Sequence, residues 1–287
     1  MGQEISHINS KNKPACRFHL FSLLLLAFLI LAVNPVLRAE KSDIPDRLNR
    51  QFFKHLAGKA SQVLTSPGQW RLDDRLSAAV ASVAVLAFLP ADESIHLWVS
   101  GEPGAAGATG ARIFSGLGGP AVLLGLVSSG YLFGCLNHSP ETRKTFLLAA
   151  ESLLLTEILV QVGKTGLGRA RPYTGEGAFS FHPLNFREKW NSFPSGHSAA
   201  AWALAATISE RVDNPYLEAL LYTFATGVSL SRILLDKHFA SDVLAGSVIG
   251  YFVGKKTTQP LRTQTTGWSV GLLATGSVIG LSLNYTY

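Results

Sequence analysis

Three short stretches hold residues whose types and spacing could do chemistry together. In KTGLGRARP, Lys164 is followed after six residues by Arg171 and Pro172. In FPSGHSAAAW, Pro194, Ser195, Gly196 and His197 stand before an alanine-rich run. In SRILLDKHFASD, Ser231 and Arg232 precede His238, and Asp242 follows four residues later. Ser195 suits a helix N-cap, and Gly196 lets a ligand approach the backbone closely. The free N–H groups and the positive dipole end at such a helix start form a cradle for an anion. Lys164, Arg171 and Arg232 can add charge to the same oxyanion, the arginines through a planar fork. If His238 and Asp242 share a helical face, the carboxylate fixes the imidazole tautomer and leaves the other nitrogen free to attack. His197, at the cradle, is placed to give a proton to a leaving oxygen. A nucleophile, an orienting acid, a proton donor and a triple-cation clamp suit phosphoryl transfer through a phosphohistidine. Singly, each piece has a blander reading: a lysine complementing a helix dipole, an ordinary cap, a surface His–Asp bond. The set is what points to chemistry.

These residues need helices to hold them. Apolar runs at 76–90, 119–136, 145–163, 199–209, 216–230 and 242–254 are rich in alanine and leucine, with most glycines and prolines at their ends. That pattern argues helix over strand. The expected fold is all-α, a bundle of about six core helices with the site at one end. Residues 40–75 read as an amphipathic entry segment, GEPGAAGATG (101–110) as a loop, and the tail beyond residue 256 as a β-hairpin. Gly246, Gly250 and Gly254 recur every four residues, a spacing that fits either close helix–helix approach or a tight small-residue core.

The 287 residues are 47% hydrophobic and only 15% charged, and the mean hydropathy is +0.23. This balance leans toward a membrane protein. The net charge of +6 is concentrated in the first 75 residues, which argues against a nucleic-acid footprint. Residues 1–39 combine Lys11, Lys13 and Arg17 with the apolar run FSLLLLAFLILAV, as an export signal or signal anchor would. The segments then read as signal 1–39, entry 40–75, helical catalytic domain 76–256 and tail 257–287. Cys16 and Cys135 are the two cysteines, so thiol chemistry is set aside. Some runs are short of the ~20 residues a span needs. Both a spanning bundle and an exported, membrane-leaning domain stay open.

Lys-x6-Arg-Pro, Pro-Ser-Gly-His and Ser-Arg-x5-His-x3-Asp, in this order, resemble the three signature motifs of the type 2 phosphatidic acid phosphatase superfamily. That superfamily includes class A acid phosphatases and vanadium haloperoxidases. The resemblance runs over roughly residues 76–254. It implies His238 as nucleophile, Asp242 as its orienting acid and His197 as general acid. It implies Lys164, Arg171, Ser195, Gly196 and Arg232 as phosphate ligands, a helical bundle, and hydrolysis without metal or cofactor. The expected activity is removal of phosphate from a lipid phosphate or diphosphate: phosphatidic acid, phosphatidylglycerol phosphate, undecaprenyl diphosphate or a lipid A type. The active site would face the periplasm. The alternative is a soluble periplasmic acid phosphatase of broad specificity, and a haloperoxidase is a remote third.

Several residues are set outside the site. Arg169, inside the first motif, reads as a solvated neighbour. Ser192 and Ser198 match no motif, and His96, His138 and His182 have no partner at ligand spacing. Glu151 and Glu157 point to different helix faces and read as structural.

Overall fold

The computed structural model describes residues 37, 44–69, 72–100, 105–261, 267–275 and 278–286. The export signal expected over 1–39 lies, apart from Leu37, outside the described residues. Along the rest run α1 (Arg50–Gln69), α2 (Leu72–Phe88), α3 (Asp92–Ser100), α4 (Ala105–Leu117), α5 (Pro120–Leu136), α6 (Pro140–Leu167), α7 (Gly196–Ser209), α8 (Pro215–Leu234) and α9 (Ala240–Thr258). The six apolar runs between residues 76 and 254 fall almost wholly on these helices, as the all-α expectation requires.

Local chemistry sets the ends of the helices that matter most. Ser139 caps α6, its side chain accepting from the Thr142 N–H, and Pro140 takes the first position, where a missing N–H costs nothing. Gly168 stops α6 in the left-handed region (φ 60°) and donates to the Lys164 carbonyl. Asn214 caps α8 by accepting from the N–H groups of Tyr216 and Leu217, again with proline next.

The core gathers around α7, of whose residues only His197 and Trp202 are not buried. Leu123 and Val127 of α5, Phe146 and Ala149 of α6, Leu204 and Ile208 of α7, and Leu221, Ala225 and Val228 of α8 form one buried cluster. The glycine repeat of α9 lies against α7. A Cβ built on Gly246, Gly250 or Gly254 would stand 2.3, 2.0 or 2.6 Å from the carbonyl oxygens of Ser195, Ala199 and Ala203. Close backbone approach, rather than small-residue filling alone, is therefore what the repeat serves.

Residues 105–110, expected as part of a loop, are helical instead. Three of the first four residues of α4 are alanines, good helix formers, and the helix gains tertiary packing from Phe114, whose ring lies over Gly227 of α8. The glycines near its start are tolerated because packing outweighs their propensity. The C-terminal hairpin appears as read: β1 (Gly267–Thr275) pairs antiparallel with β2 (Val278–Thr286), from Gly267↔Thr286 to Thr275↔Val278.

Two helical stretches, Arg75–Val99 and Pro140–Leu167, are long and apolar enough to cross a membrane by length and composition, and a third candidate joins Gly107–Leu117 to Pro120–Leu136 through a 52° bend. Leu154, Ile158 and Val162 make an exposed apolar stripe along α6 at four-residue spacing. Glu151, inside α6, is buried against the imidazole of His55, with Nδ1 2.9 Å from Oε1. That pairing fits the structural role expected of it.

Candidate active site

Four chain segments meet at one end of the bundle. The end of α6 delivers Lys164, whose Nζ lies 3.3 Å from the point a Cβ on Gly196 would occupy. Glycine at the start of α7 thus leaves the ammonium beside the helix N-terminus, where the first N–H groups have no partner within the helix. Ser195 holds the N-cap position without capping: its Oγ accepts from Ser198 Oγ at 3.0 Å, and its N–H donates to the Asp242 carbonyl at 2.9 Å.

Arg171 sits in extended backbone, as the following proline favours. Its N–H donates to the Lys189 carbonyl, and its Nη1 lies 3.7 Å from the exposed Glu188 carboxylate. Arg232, in the last turn of α8, donates from Nη1 to Ser115 Oγ. Both guanidiniums are buried, and the Nε of each has no hydrogen-bond partner among the described residues. Buried donors are ordinarily satisfied, so two orphans in one place point to a ligand. Burial, with Arg171 nearby, lowers the Arg232 pKa to about 10, which leaves it charged.

His197 stands half-buried on the first turn of α7. Burial pushes its pKa down to about 3, with the charges of Arg232, His238, Lys164 and Arg171 adding to the effect. The three cations of the expected clamp, Lys164, Arg171 and Arg232, thus all act on one imidazole.

His238 is 3% exposed and precedes α9. Its Nδ1 is 2.7 Å from the Ser192 carbonyl oxygen and 3.9 Å from Asp242 Oδ2. With Nδ1–H donated to that carbonyl, the lone pair belongs to Nε2. Burial lowers the pKa to about 4 against the opposing pull of Asp242, so the ring is neutral near pH 7. Asp242 is turned to other partners: Oδ2 accepts from the Phe239 N–H at 2.9 Å and from Ser192 Oγ at 2.5 Å, and Oδ1 from Arg169 Nη1 at 2.6 Å. Burial alone would raise its pKa, but the His238 imidazole, the Arg169 charge and the Ser192 hydroxyl hold it below the usual value.

The structure therefore brings all eight sequence candidates together: Lys164, Arg171, Ser195, Gly196, His197, Arg232, His238 and Asp242. Two residues set aside in the sequence belong with them. Arg169, expected as solvated, is fully buried, because it bridges Asp242 and Asp92 with Nη1 and Nη2 at 2.6 and 2.8 Å. Ser192 supplies both the carbonyl behind His238 and the hydroxyl on Asp242. Its place two residues before Pro194 was the sole sequence signal for it. Of the other histidines, His96 lies 3.1 Å from Asp236, and His182 pairs with Glu176 at 2.8 Å and stacks on Trp190.

The chain is similar to several known proteins. The model of the PAP2 superfamily matches residues 145–265. The lipid A 1-phosphatase of Porphyromonas gingivalis is 34% identical over 125 residues, which are 43% of this chain and 25% of that one. The lipid A 1-phosphatase of Rhizobium johnstonii is 31% identical over 101 residues, 34% of this chain and 41% of that one. The matched stretches thus span well under half of either relative. Among solved structures, that of Aquifex aeolicus LpxE covers 58% of this chain and 93% of its own, at 23% identity and a TM-score of 0.48.

Proposed function

We propose that the chain, whose residues 145–265 match the model of the PAP2 superfamily, is a phosphatase that removes phosphate from a membrane lipid through a phospho-His238 intermediate. The observation that carries the reading is the setting of His238: neutral, with Nδ1 engaged by the Ser192 carbonyl, beside three cations and a helix N-terminus. Lys164, Arg171, Arg232 and the N–H groups of α7 hold the phosphate oxygens. Nε2 of His238 attacks phosphorus as the P–O bond to the lipid breaks, and His197 gives the leaving oxygen its proton. Water then attacks the phosphohistidine, His197 takes the water proton, and the P–N bond breaks to release inorganic phosphate and neutral His238. Burial first, and the surrounding cations second, keep His197 uncharged; a bound phosphate anion opposes both and supports the protonated form needed to act as acid.

A lipid substrate is favoured over a soluble ester by the membrane-length helices and by the segment after Arg171. There Tyr173, Phe179, Phe181, Leu184 and Phe186 are 44, 64, 42, 75 and 80% exposed. The Leu184 N–H donates to the Thr165 carbonyl at the end of α6, so this apolar surface continues the exposed stripe of that helix toward the cation site. The similarity to lipid A 1-phosphatases favours a glycolipid phosphate within the lipid class. The catalytic unit is taken as 76–256, with the site facing the periplasm.

The test is phosphate release by the purified chain from a lipid phosphate in detergent and from a soluble phosphomonoester, with His238→Ala as the blank. The expected result is strong preference for the lipid and a loss of at least about 10⁴-fold in the variant. Equal turnover of the soluble ester would overturn the lipid assignment, and an active His238→Ala the nucleophile.

A further inference from the structure

Asp92 belongs to none of the three motifs, yet it is fully buried behind them at the first position of α3. Its Oδ1 accepts from the Ser241 N–H at 2.9 Å, and its Oδ2 from Arg169 Nη2 at 2.8 Å and from Ser241 Oγ. Arg169 is the hub of this buried network. Its Nη1 donates to Ser241 Oγ at 2.8 Å and to Asp242 Oδ1 at 2.6 Å, and its Nε donates to the Ala178 carbonyl at 2.8 Å. Its guanidinium carbon stands 4.5 Å from the centroid of the Phe239 ring. Its own carbonyl accepts from the Ser192 N–H at 3.0 Å.

Arg169 therefore grips both groups that decide how His238 sits. Through its main chain it fixes Ser192, whose carbonyl takes the imidazole Nδ1–H. Through its side chain it fixes Asp242, whose other oxygen ties down Ser192 Oγ and the Phe239 N–H. A single arginine between two buried carboxylates is secured only while both are present, since losing either leaves buried guanidinium N–H groups without their acceptor. We infer that Asp92 is a positioning residue for the nucleophile: by holding Arg169 and Ser241 it sets the direction of His238 Nε2, without touching substrate itself. The inference rests on the reading of His238 as nucleophile. It gives α3, a helix outside the three motifs, a part in aiming the nucleophile.

Asp92→Asn keeps the size of the side chain but sets an amide where the guanidinium needs a carboxylate. A misaimed nucleophile slows the chemical step while the phosphate ligands Lys164, Arg171 and Arg232 are untouched. The expected result is a kcat lower by roughly ten- to a hundredfold, with KM and competitive inhibition by inorganic phosphate within about twofold, since uniform binding is retained. Ser241→Ala removes only the hydroxyl shared by Asp92 and Arg169, and decides the matter if Asp92→Asn does not accumulate; its kcat should fall in the same direction by less, again at constant KM. Orthovanadate, which bonds to the imidazole nitrogen, gives a reading free of turnover. It should bind Asp92→Asn at least about tenfold more weakly, with phosphate binding unchanged. Wild-type kcat in the variants, or KM and phosphate inhibition moving in step with kcat, overturns the inference. A wild-type chain that releases no phosphate overturns the reading of function instead, and the inference then stands or falls on vanadate affinity.

Discussion

The two sides of His238 are built from similar residues put to opposite use. In front, Arg171 and Arg232 are buried with an Nε that meets no acceptor among the described residues. Behind, Arg169 is more deeply buried, and all three of its side-chain nitrogens are bonded, to Ala178, Ser241, Asp242 and Asp92. An arginine whose donors are all taken inside the protein is scaffold; one with donors held open in a closed space serves a ligand. Burial alone would not have told them apart, because all three guanidiniums are removed from solvent.

The comparison can be broken most sharply on the front side. Arg232→Ala should cost about 10²–10³-fold in kcat/KM, the loss seen when one donor to a developing oxyanion is removed, and competitive inhibition by inorganic phosphate should weaken with it. That parallel loss of phosphate binding is what separates the front from Asp92 and its partners. Steady-state kinetics with phosphate as inhibitor reads both.

A smaller effect is expected where front and back are clamped together. The Gly246 Cβ position lies 2.3 Å from the Ser195 carbonyl oxygen, and Ser195 N–H bonds to the Asp242 carbonyl. Gly246→Ala should push α7 from α9, cost about 1–3 kcal/mol by overpacking, and lower both the thermal midpoint and kcat. An alanine variant with unchanged melting and turnover would mean the two sides are not rigidly joined.

Smallest is the pH effect. His238 titrates near 6.5 unfolded and about 4 folded, so the unfolded chain binds more protons between these values. Folding stability should fall as pH drops from 6.5 toward 4, and kcat/KM should hold until its acid limb near 4, where the nucleophile becomes protonated. Denaturant titrations and rate profiles across that range check both. An acid limb at 6.5 would show that the rear wall does not keep the imidazole neutral.

How far the sequence reaches follows the same division. The front side was legible because its residues lie in short motifs, where spacing alone brings cations, helix start and imidazole into reach. The glycine repeat of α9 fitted either a close helix contact or a small-residue core, and the α7 carbonyls lying against it decide for the contact. The rear side was hidden. Asp92 stands 77 positions before Arg169 and 150 before Asp242, and nothing local distinguishes it from an ordinary acidic residue at a helix start. Ser192 acts mainly through its carbonyl, which any residue type possesses. Residues 105–110 were misread because glycine count outweighed alanine propensity, until packing of Phe114 on α8 settled them as helix.

Gly168 ends α6 with φ at +60°, and a Cβ there would lie 1.9 Å from the His182 carbonyl oxygen. Asparagine or aspartate tolerates that backbone angle but still brings a Cβ into the collision, and alanine escapes neither problem. Every missense change reachable by one nucleotide from a glycine codon adds a Cβ. The junction between the α6 end and the cation-bearing segment is therefore an isolated point in sequence space, with silent neighbours and costly ones but no gradual path between them.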